Sequence, residues 1–239
     1  AEQEPFNDAW RFHKGAAEGA EAAGFDDSEW REVRLPHDWA IEGPFDPKYN
    51  ARCGGLPFHG TGWYRKEFAT PDGAGRVAIG FDGAMYNAHV WVNGQFLGHR
   101  PFGYIGFEFD MTEHLHDDGT PNVIAVRLQP EDLSSRWYPG AGLYRNVWLR
   151  VRPEVHVPQW GVEITTPSVT NEMASVAVTT HLKSASGMES ELLVRQTILD
   201  ATGEEVATAE LPMHLEPASS ESASQRLAIR QPQRWDIDS

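Results

Sequence analysis

The sequence of 239 residues predicts an all-β protein, with a two-sheet jelly roll over residues 1–153 and an incomplete immunoglobulin-like β-sandwich over residues 154–239. Three observations indicate this fold class. Apolar residues alternate with polar or small residues along most of the chain, which is typical of strands that bury one face. Patterns of helical period are nearly absent. Turn residues separate the alternating segments at short intervals.

The strands of the first part follow from this alternation and from one strong turn signal. Asn93-Gly94 separates two apolar segments, and it predicts a type I′ hairpin because both turn residues must adopt positive φ. The other predicted strands carry Val77, Ile79 and Phe81, then Phe107, Phe109 and Met111, then Val123–Leu128, and finally Val147–Val151.

The only segment that allows a helix is His13–Phe25, which reads HKGAAEGAEAAGF. Any helix there would be short. Its glycines and its lack of a broad apolar face argue against even that.

A domain boundary is predicted near Arg152-Pro153, where an aromatic-rich part gives way to a part rich in Ser, Thr, Ala and Glu. Turn signals in the second part are spaced as in an immunoglobulin-like sandwich. Such a fold commonly takes ~100 residues, whereas about 86 follow Pro153. We therefore expect the last one or two strands to be missing. An exposed sheet edge would then favour association with another chain, including a second copy.

Composition excludes several classes of partner. The formal net charge of −15 opposes a phosphate backbone, so nucleic-acid binding is not expected. No apolar run approaches the roughly 18 residues of a membrane helix, so no membrane partner is expected. The single cysteine, Cys53, excludes an intrachain disulfide and a multi-cysteine metal site. It leaves the compartment open between the cytoplasm and the periplasm or exterior, with any export signal already removed.

The segment SSRWYPGAGLYRNVWL contains a first candidate binding site. Arg136, Trp137 and Tyr138 precede a Pro-Gly-Ala-Gly turn, and a guanidinium beside two rings can orient sugar hydroxyls and stack on apolar C–H faces. Alternatively, the two rings close the end of the sandwich and Arg136 is solvated. We expect residues 134–142 to form an exposed loop at one end of the jelly roll.

A second candidate lies in the nearly thirty residues from Leu35 to Gly62, which show little strand pattern and are long for a structureless connection. His37 and Asp38 offer hydrogen-bonding groups there, and Trp39 offers a platform. A carboxylate can accept two sugar hydroxyls at once. Alternatively, Trp39 belongs to the core and Asp38 forms a turn. We expect this segment to lie near residues 134–142.

Seven motifs in order resemble one enzyme family. They are WRF from Trp10, FDDSEW from Phe25, LPHDW from Leu35, GTGWYRKEF from Gly60, VWVNGQFLGH from Val90, GYIGFEFDMTEHL from Gly103 and SSRWYPGAGLYRNVWL from Ser134. Together they are similar to the N-terminal half of glycoside hydrolase family 2 enzymes, and most of all to the β-galactosidases.

This resemblance implies a sugar-binding, galactose-binding-like jelly roll, the immunoglobulin-like domain after it, and a later (β/α)₈ barrel that carries both catalytic carboxylates. The chain would then shape the rim of the substrate site and be inactive alone. Its partners would be the barrel and a β-glycoside, and the motifs favour a β-galactoside. The alternative is a stand-alone carbohydrate-binding or assembly module without hydrolase activity.

No catalytic residue, cofactor or metal site is expected within this chain. Asn171-Glu172 imitates a catalytic pair but is interpreted as a polar turn, and Glu131-Asp132 as the end of a solvated loop. Histidines and aspartates in the run 114–118 are interpreted as turn chemistry. Some β-galactosidases carry a carboxylate that helps to hold sodium close to the position of Arg136. Ser135-Arg136 stands at that point here, which argues against the ion.

Overall fold

The computed structural model describes residues 2–73, 75–131 and 138–234, and the chain divides into two compact units, Ala1–Arg152 and Pro153–Ser239. The predicted all-β fold class is confirmed, because the described residues form antiparallel strands and two short 3₁₀ turns, Ala51–Cys53 and Thr112–His114. Within these described ranges, no helix is long and apolar enough to cross a membrane.

The first unit contains two antiparallel sheets. Its strands are β1 (Glu2–Pro5), β2 (Trp10–Lys14), β3 (Arg31–Val33), β4 (Gly62–Phe68), β5 (Arg76–Phe81), β6 (Ala88–Val92), β7 (Gln95–Arg100), β8 (Phe107–Asp110), β9 (Asn122–Leu128) and β10 (Val147–Arg152). One sheet has the order β1-β10-β5-β8, and the other has the order β3-β2-β4-β9-β6-β7. This two-sheet arrangement agrees with the predicted sandwich.

A continuous apolar core fills the first unit. Alternate residues of the six-stranded sheet contribute to it, including Tyr64, Val90 and Val126, while β5 contributes Ile79 and Phe81. Each of these side chains is at most 1% exposed. Burial of this kind contributes roughly 1.5–3 kcal/mol per large apolar side chain, which makes the alternation of the sequence a strong determinant of register.

The hairpin signal at Asn93-Gly94 is confirmed. Val92 pairs with Gln95, and the two turn residues have φ of 50° and 78°. The Asn93 side chain also accepts a hydrogen bond from Val123 N at 2.8 Å. The turn is therefore tied to β9 as well as closing β6 onto β7.

Residues 15–25 form turns beyond the end of β2, and no helix forms there, which agrees with the argument from the glycines and the missing apolar face. Their hydrogen bonds span three residues, as from Ala22 N to Gly19 O. The buried guanidinium of Arg65 favours the turns over a helix, because it donates to the carbonyl oxygens of Ala20 and Ala22. Those oxygens would otherwise be acceptors for a helical ladder.

The second unit is built on β11 (Val155–His156), β12 (Val162–Val169), β13 (Met173–Ser184), β14 (Ser190–Leu199), β15 (Glu205–Leu215) and β16 (Ser220–Arg230). β13 pairs with β11 and β12 along one edge and with β16 along the other, and β14 pairs with β15. Two small groups of buried side chains lie in this unit, one around Leu182 and Leu215 and one around Val176 and Leu227.

Candidate functional site

The segment Leu35–Trp39 runs alongside residues 141–143, so the structure brings part of the two candidate segments together. His37 N donates to Leu143 O at 2.8 Å, and Trp39 N donates to Ala141 O at 3.0 Å. Gly142 allows this close approach, because a Cβ there would lie 2.3 Å from His37 O. The pairing joins residues about a hundred positions apart in the chain.

Asp38 lies at the centre of this contact and is half-buried. Its Oδ1 accepts from Ala40 N and Ala141 N, both at 3.0 Å. Its Oδ2 accepts from the Tyr138 hydroxyl at 2.5 Å. A carboxylate has about four lone-pair directions, so three protein donors fix its orientation and leave capacity for one further donor on Oδ2.

Tyr138 is half-buried beside Asp38. Burial raises the pKa of the Tyr138 phenol, and the hydrogen bond to Asp38 raises it further, so the hydroxyl remains protonated and donates. Gly140 has a φ of +82°, and a Cβ there would lie 3.3 Å from Asp38 Oδ2. The turn therefore needs glycine both for its backbone and for room beside the carboxylate.

The remaining two residues of this candidate site, Arg136 and Trp137, lie outside the described residues. For the described part of the loop, the expected exposure is wrong. Residues 139–142 are buried, because Gly142 and Met85 exchange backbone hydrogen bonds at 2.9 and 3.1 Å while Ala141 pairs with Trp39.

The His37 ring is held by protein groups on both sides. Its Nδ1 lies 2.7 Å from the Tyr64 hydroxyl, and its Nε2 lies 2.9 Å from Glu42 Oε1. Nε2 also lies 3.1 Å from Arg31 Nη2, and Arg31 in turn donates to Glu42, so the ring edge belongs to a three-residue network. Burial lowers the pKa of His37 although Glu42 opposes the shift. This ring therefore orients the Leu35–Trp39 segment.

Trp39 is 2% exposed and stacks on Phe12 with ring centroids 5.6 Å apart. The edge of its indole fits over Gly62, where a Cβ would lie 2.4 Å from the ring. Trp39 presents no open face to solvent in the structure. Its position agrees with the alternative that this side chain belongs to the core.

One neighbouring loop was not selected from the sequence. Phe102 and Tyr104 are each 52% exposed, and their rings meet edge to face at 5.5 Å. With Tyr86 and Pro139 they line a cleft of about 240 Å³, and Pro139 directly follows Tyr138. The sequence feature that could have indicated this loop is a pair of aromatic residues within a Pro- and Gly-rich turn. The same pattern also occurs in purely structural loops.

The weaker candidates lie apart from this site. Glu131 accepts from Asn87 Nδ2 at 3.1 Å on the surface, and Asp132 falls outside the described residues. Asn171-Glu172 forms an exposed bend before β13, as interpreted from the sequence. Among the described residues, Glu189, His214 and Glu216 could offer ligand atoms to a metal, but exposed groups of this kind commonly meet without an ion.

The family follows from comparison of the sequence with known proteins. Residues 4–153 match the family model described as glycosyl hydrolases family 2, sugar binding domain. The chain belongs to glycosyl hydrolase family 2. The resemblance inferred from the seven motifs is therefore confirmed.

Curated relatives of this family 2 chain are longer proteins. It is 43% identical over 242 residues to the β-galactosidase BoGH2A of Bacteroides ovatus, which covers 99% of this chain and 28% of that protein. It is 33% identical to a putative β-glucuronidase of Formosa agariphila, and the match covers 98% of this chain and 22% of that protein. The chain thus spans about a quarter of the length of these two relatives.

Solved structures of family 2 proteins share the fold. A family 2 member from Bacteroides cellulosilyticus superposes with a TM-score of 0.87 at 34% identity, covering 100% of this chain and 33% of the other. The β-glucuronidase 2 of Bacteroides uniformis, bound covalently to an aziridine, superposes with a TM-score of 0.89 at 28% identity. It covers 98% of this chain and 28% of the other.

Proposed function

We propose that this chain is the sugar-binding part of a family 2 glycosidase that hydrolyses terminal β-glycosides, with Asp38 and Tyr138 on the rim of the substrate site. The observation that carries the proposal is the fixed orientation of Asp38. Three protein donors hold its carboxylate, and Oδ2 keeps one acceptor direction on a half-buried surface. A preorganised acceptor of this kind suits a sugar hydroxyl, because little ordering remains to be done on binding.

Arg136 and Trp137 belong to the same proposal through their sequence position beside Tyr138. A planar five-donor group and an indole would add hydroxyl donors and a stacking surface. His37 enters as a positioning residue, because its ring is held between Tyr64 and Glu42. Trp39 supports the site from the core side.

The partner that completes the enzyme is proposed to be a catalytic barrel within the same full-length protein. Retaining glycosidases use two carboxyl groups about 5 Å apart, which act as acid/base and nucleophile. The rim proposed here would orient the sugar against those groups and would contribute no proton transfer of its own. Relatives that span this whole chain and continue well beyond it support this division of roles.

We further propose that the sugar is a β-galactoside, on the wording of LPHDW and SSRWYPG. The β-galactosidase from Bacteroides ovatus supports this choice, whereas other relatives are β-glucuronidases. Kinetics of the full-length protein with an aryl β-galactoside and an aryl β-glucuronide distinguish a galactoside substrate from a glucuronide substrate. A higher kcat/KM for the glucuronide would contradict the galactoside, and hydrolysis of neither would favour a binding or assembly module.

The rim is tested by Asp38→Asn, Asp38→Ala, Tyr138→Phe and Arg136→Ala in the full-length protein. We expect kcat/KM to fall by about ten- to a hundredfold for Asp38→Ala, since a charged acceptor contributes roughly 1.5–3 kcal/mol. Tyr138→Phe should have a smaller effect, because it frees Oδ2 but leaves both backbone donors.

Asp72→Asn is the matched control, because Asp72 is exposed in the connection between β4 and β5. It should leave kcat/KM unchanged. Wild-type kinetics in the Asp38 and Arg136 variants would remove the rim from the proposal. Thermal denaturation of each variant distinguishes loss of the site from loss of the fold.

A further inference from the structure

The loop between β7 and β8, residues 101–106, exposes three large apolar side chains. We call it the aromatic loop. Phe102, Tyr104 and Ile105 are each 52% exposed, and the rings of Phe102 and Tyr104 meet edge to face at 5.5 Å. A single exposed apolar residue is common on a protein surface, whereas a cluster of them marks a place where a ligand or a partner binds. The aromatic loop is therefore a candidate binding surface.

Contacts with the rest of the first unit hold the backbone of the aromatic loop. Asn87 N donates to Pro101 O at 3.1 Å, and the Tyr144 hydroxyl donates to Gly103 O at 2.9 Å. Gly103 packs so closely on its neighbours that a Cβ there would lie 2.7 Å from Met85 Sδ. A loop whose backbone is fixed presents its rings in one arrangement, which lowers the entropy cost of binding.

A cleft of about 240 Å³ lies beside the two exposed rings. Phe102 and Tyr104 line it together with Tyr86, Pro139 and the buried Met85. Pockets that enclose drug-sized ligands measure roughly 300–1,000 Å³, so this smaller cleft has room for one ring-sized group. Within these five side chains, the polar atoms are the hydroxyls of the two tyrosines.

The cleft adjoins the proposed rim through residues 138–142. Pro139 lines the cleft, and Tyr138 directly before it donates its hydroxyl to Asp38. Gly142, at the end of the same segment, exchanges backbone hydrogen bonds with Met85 at 2.9 and 3.1 Å. Consecutive Cα atoms lie about 3.8 Å apart, so a group bonded to a sugar beside Asp38 is within reach of the cleft.

The side chains of the cleft are suited to an aromatic ring. Aromatic pairs prefer edge-to-face or offset stacked arrangements with centroids about 4.5–7 Å apart, and Phe102 and Tyr104 already have this geometry. About half of each side chain stays open to a further ring. Tyr86 adds a third aromatic side chain to the lining. An aryl group that enters the cleft therefore replaces water on exposed ring surface, which is favourable.

We propose that this cleft binds an aromatic leaving group of the substrate, so that the full-length enzyme prefers aryl β-glycosides. The inference rests on the proposed function, because Asp38 would hold the sugar to which the aryl group is bonded. Phe102, Tyr104 and Tyr86 bind the leaving group and take no part in proton transfer. They determine which glycosides are bound well, whereas the terminal sugar is recognised at the rim.

Inhibition of the full-length protein by two thiogalactosides tests this proposal. Methyl and phenyl 1-thio-β-galactoside carry the same sugar, and their Ki values against hydrolysis of an aryl β-galactoside report binding without bond cleavage. We expect the phenyl compound to have a Ki about tenfold lower than the methyl compound. The double variant Phe102→Ala/Tyr104→Ala should lose most of this ratio, while the Ki of the methyl compound changes less than about twofold.

Phe96→Ala is the matched control, because Phe96 is also an exposed aromatic residue, at 53%, but lies beside the Asn93-Gly94 hairpin and does not line the cleft. It should leave both Ki values unchanged. Tyr104→Phe keeps the ring and should keep the phenyl preference. If the double variant lacks the native near-ultraviolet circular dichroism, Phe102→Leu replaces it, and it should lower the ratio by at least about twofold.

The results that would overturn the proposal are distinct from failure of the proposed function. Equal Ki values for the two compounds in the wild type would overturn it, as would an unchanged ratio in the folded cleft variants. Tighter binding of thiolactose, in which glucose replaces the phenyl group, would identify a sugar as the occupant instead. In each of these cases the enzyme still hydrolyses its substrate and Asp38→Ala still weakens the methyl compound.

Failure of the proposed function has its own signature, which is the absence of hydrolysis of every glycoside or an unchanged Ki of the methyl compound in Asp38→Ala. Either result would remove the aryl site as well, because the sugar would no longer be held beside the cleft. If the full-length protein hydrolyses β-glucuronides instead of β-galactosides, methyl and phenyl 1-thio-β-glucuronide replace the two probes. The same ratio and the same loss are then expected.

Discussion

At the scale of single residues, Arg65 explains how a segment rich in glycine and alanine becomes ordered. The guanidinium is buried under residues 20–27 and donates to Asp27 Oδ2 at 2.8 Å and to Ala22 O at 3.0 Å. It also lies over the Phe25 ring at 5.4 Å. Alternation in the sequence placed Arg65 on the outer face of β4, but no local pattern indicated that turns would enclose it.

Replacing Arg65 should therefore destabilise the first unit strongly. We expect Arg65→Met to lower the free energy of unfolding by about 3–5 kcal/mol, because it leaves Asp27 and several buried carbonyls without a donor. Urea denaturation followed by tryptophan fluorescence measures the change. Arg34→Met is the matched control, since Arg34 pairs with Asp8 at the surface and such pairs contribute at most about 1 kcal/mol. Equal losses in both variants would contradict this account.

At the scale of elements, a glycine in β5 allows charges on two flanking strands to meet. Arg150 of β10 reaches across Gly80 to Glu108 of β8, with Nη1 2.8 Å from Oε2. A Cβ at Gly80 would lie 2.6 Å from that nitrogen. Arg152 also pairs with Glu108, at 2.5 Å. Glycine inside a strand weakens it locally, and here the gain is an ion-pair network that joins β10 to β8 across β5.

This network predicts a pH dependence of stability. Burial alone would raise the pKa of Glu108, but Arg152 and Arg150 outweigh it and hold the pKa below the ordinary value of 4.5. A carboxyl whose pKa is depressed in the folded state stabilises that state above the unfolded pKa, and this contribution is lost as pH falls through the folded pKa. Glu108→Gln should thus cost about 1–3 kcal/mol at pH 7 and progressively less below pH 4.5.

Urea denaturation at a series of pH values measures the difference between the wild type and Glu108→Gln. Glu113→Gln is the control, because Glu113 pairs with Arg76 but its side chain is 74% exposed. Its effect should stay below about 1 kcal/mol. If the difference in unfolding free energy between the wild type and Glu108→Gln stays constant down to acid pH, the charge of Glu108 is not the source of the stabilisation.

Most strands were predictable because their patterns are local. β5, β8 and β10 carry the expected alternation, β9 forms at the predicted apolar segment, and Asn93-Gly94 closes its hairpin as predicted. The sequence predicted that residues 37–39 lie near residues 141–143, but it did not predict that their backbones pair. The register of this pairing depends on Gly142, whose missing side chain makes room for His37 O and the Tyr64 hydroxyl. No periodic signal encodes such a contact.

At the scale of the whole molecule, the two units differ in how well their apolar residues are covered. The second unit contains an open cleft of about 760 Å³, lined by side chains of β12, β13, β14 and β16. Ile164 and Leu193 line it and are 65% and 50% exposed. Open apolar surfaces of this size favour association.

The 239-residue chain should therefore self-associate through the second unit. Sedimentation velocity over a concentration series should show dimers or larger species, and Ile164→Thr with Leu193→Thr should reduce them. Both side chains are exposed, so the free energy of unfolding should change by less than about 0.5 kcal/mol per site. Met188→Thr is the control, because Met188 is 75% exposed and lies outside the cleft lining. A chain that remains monomeric at every concentration would contradict this prediction.

The sequence by itself determined the all-β class, the strands from β5 to β10 and the family, because alternation, turn chemistry and motif order are all local properties. Tertiary structure alone decided which contacts the candidate site residues make. It made Trp39 a core side chain, engaged the His37 ring with Tyr64 and Glu42, and joined Asp38 to Tyr138. The physical reason is that burial and hydrogen-bond partners depend on residues distant in the chain.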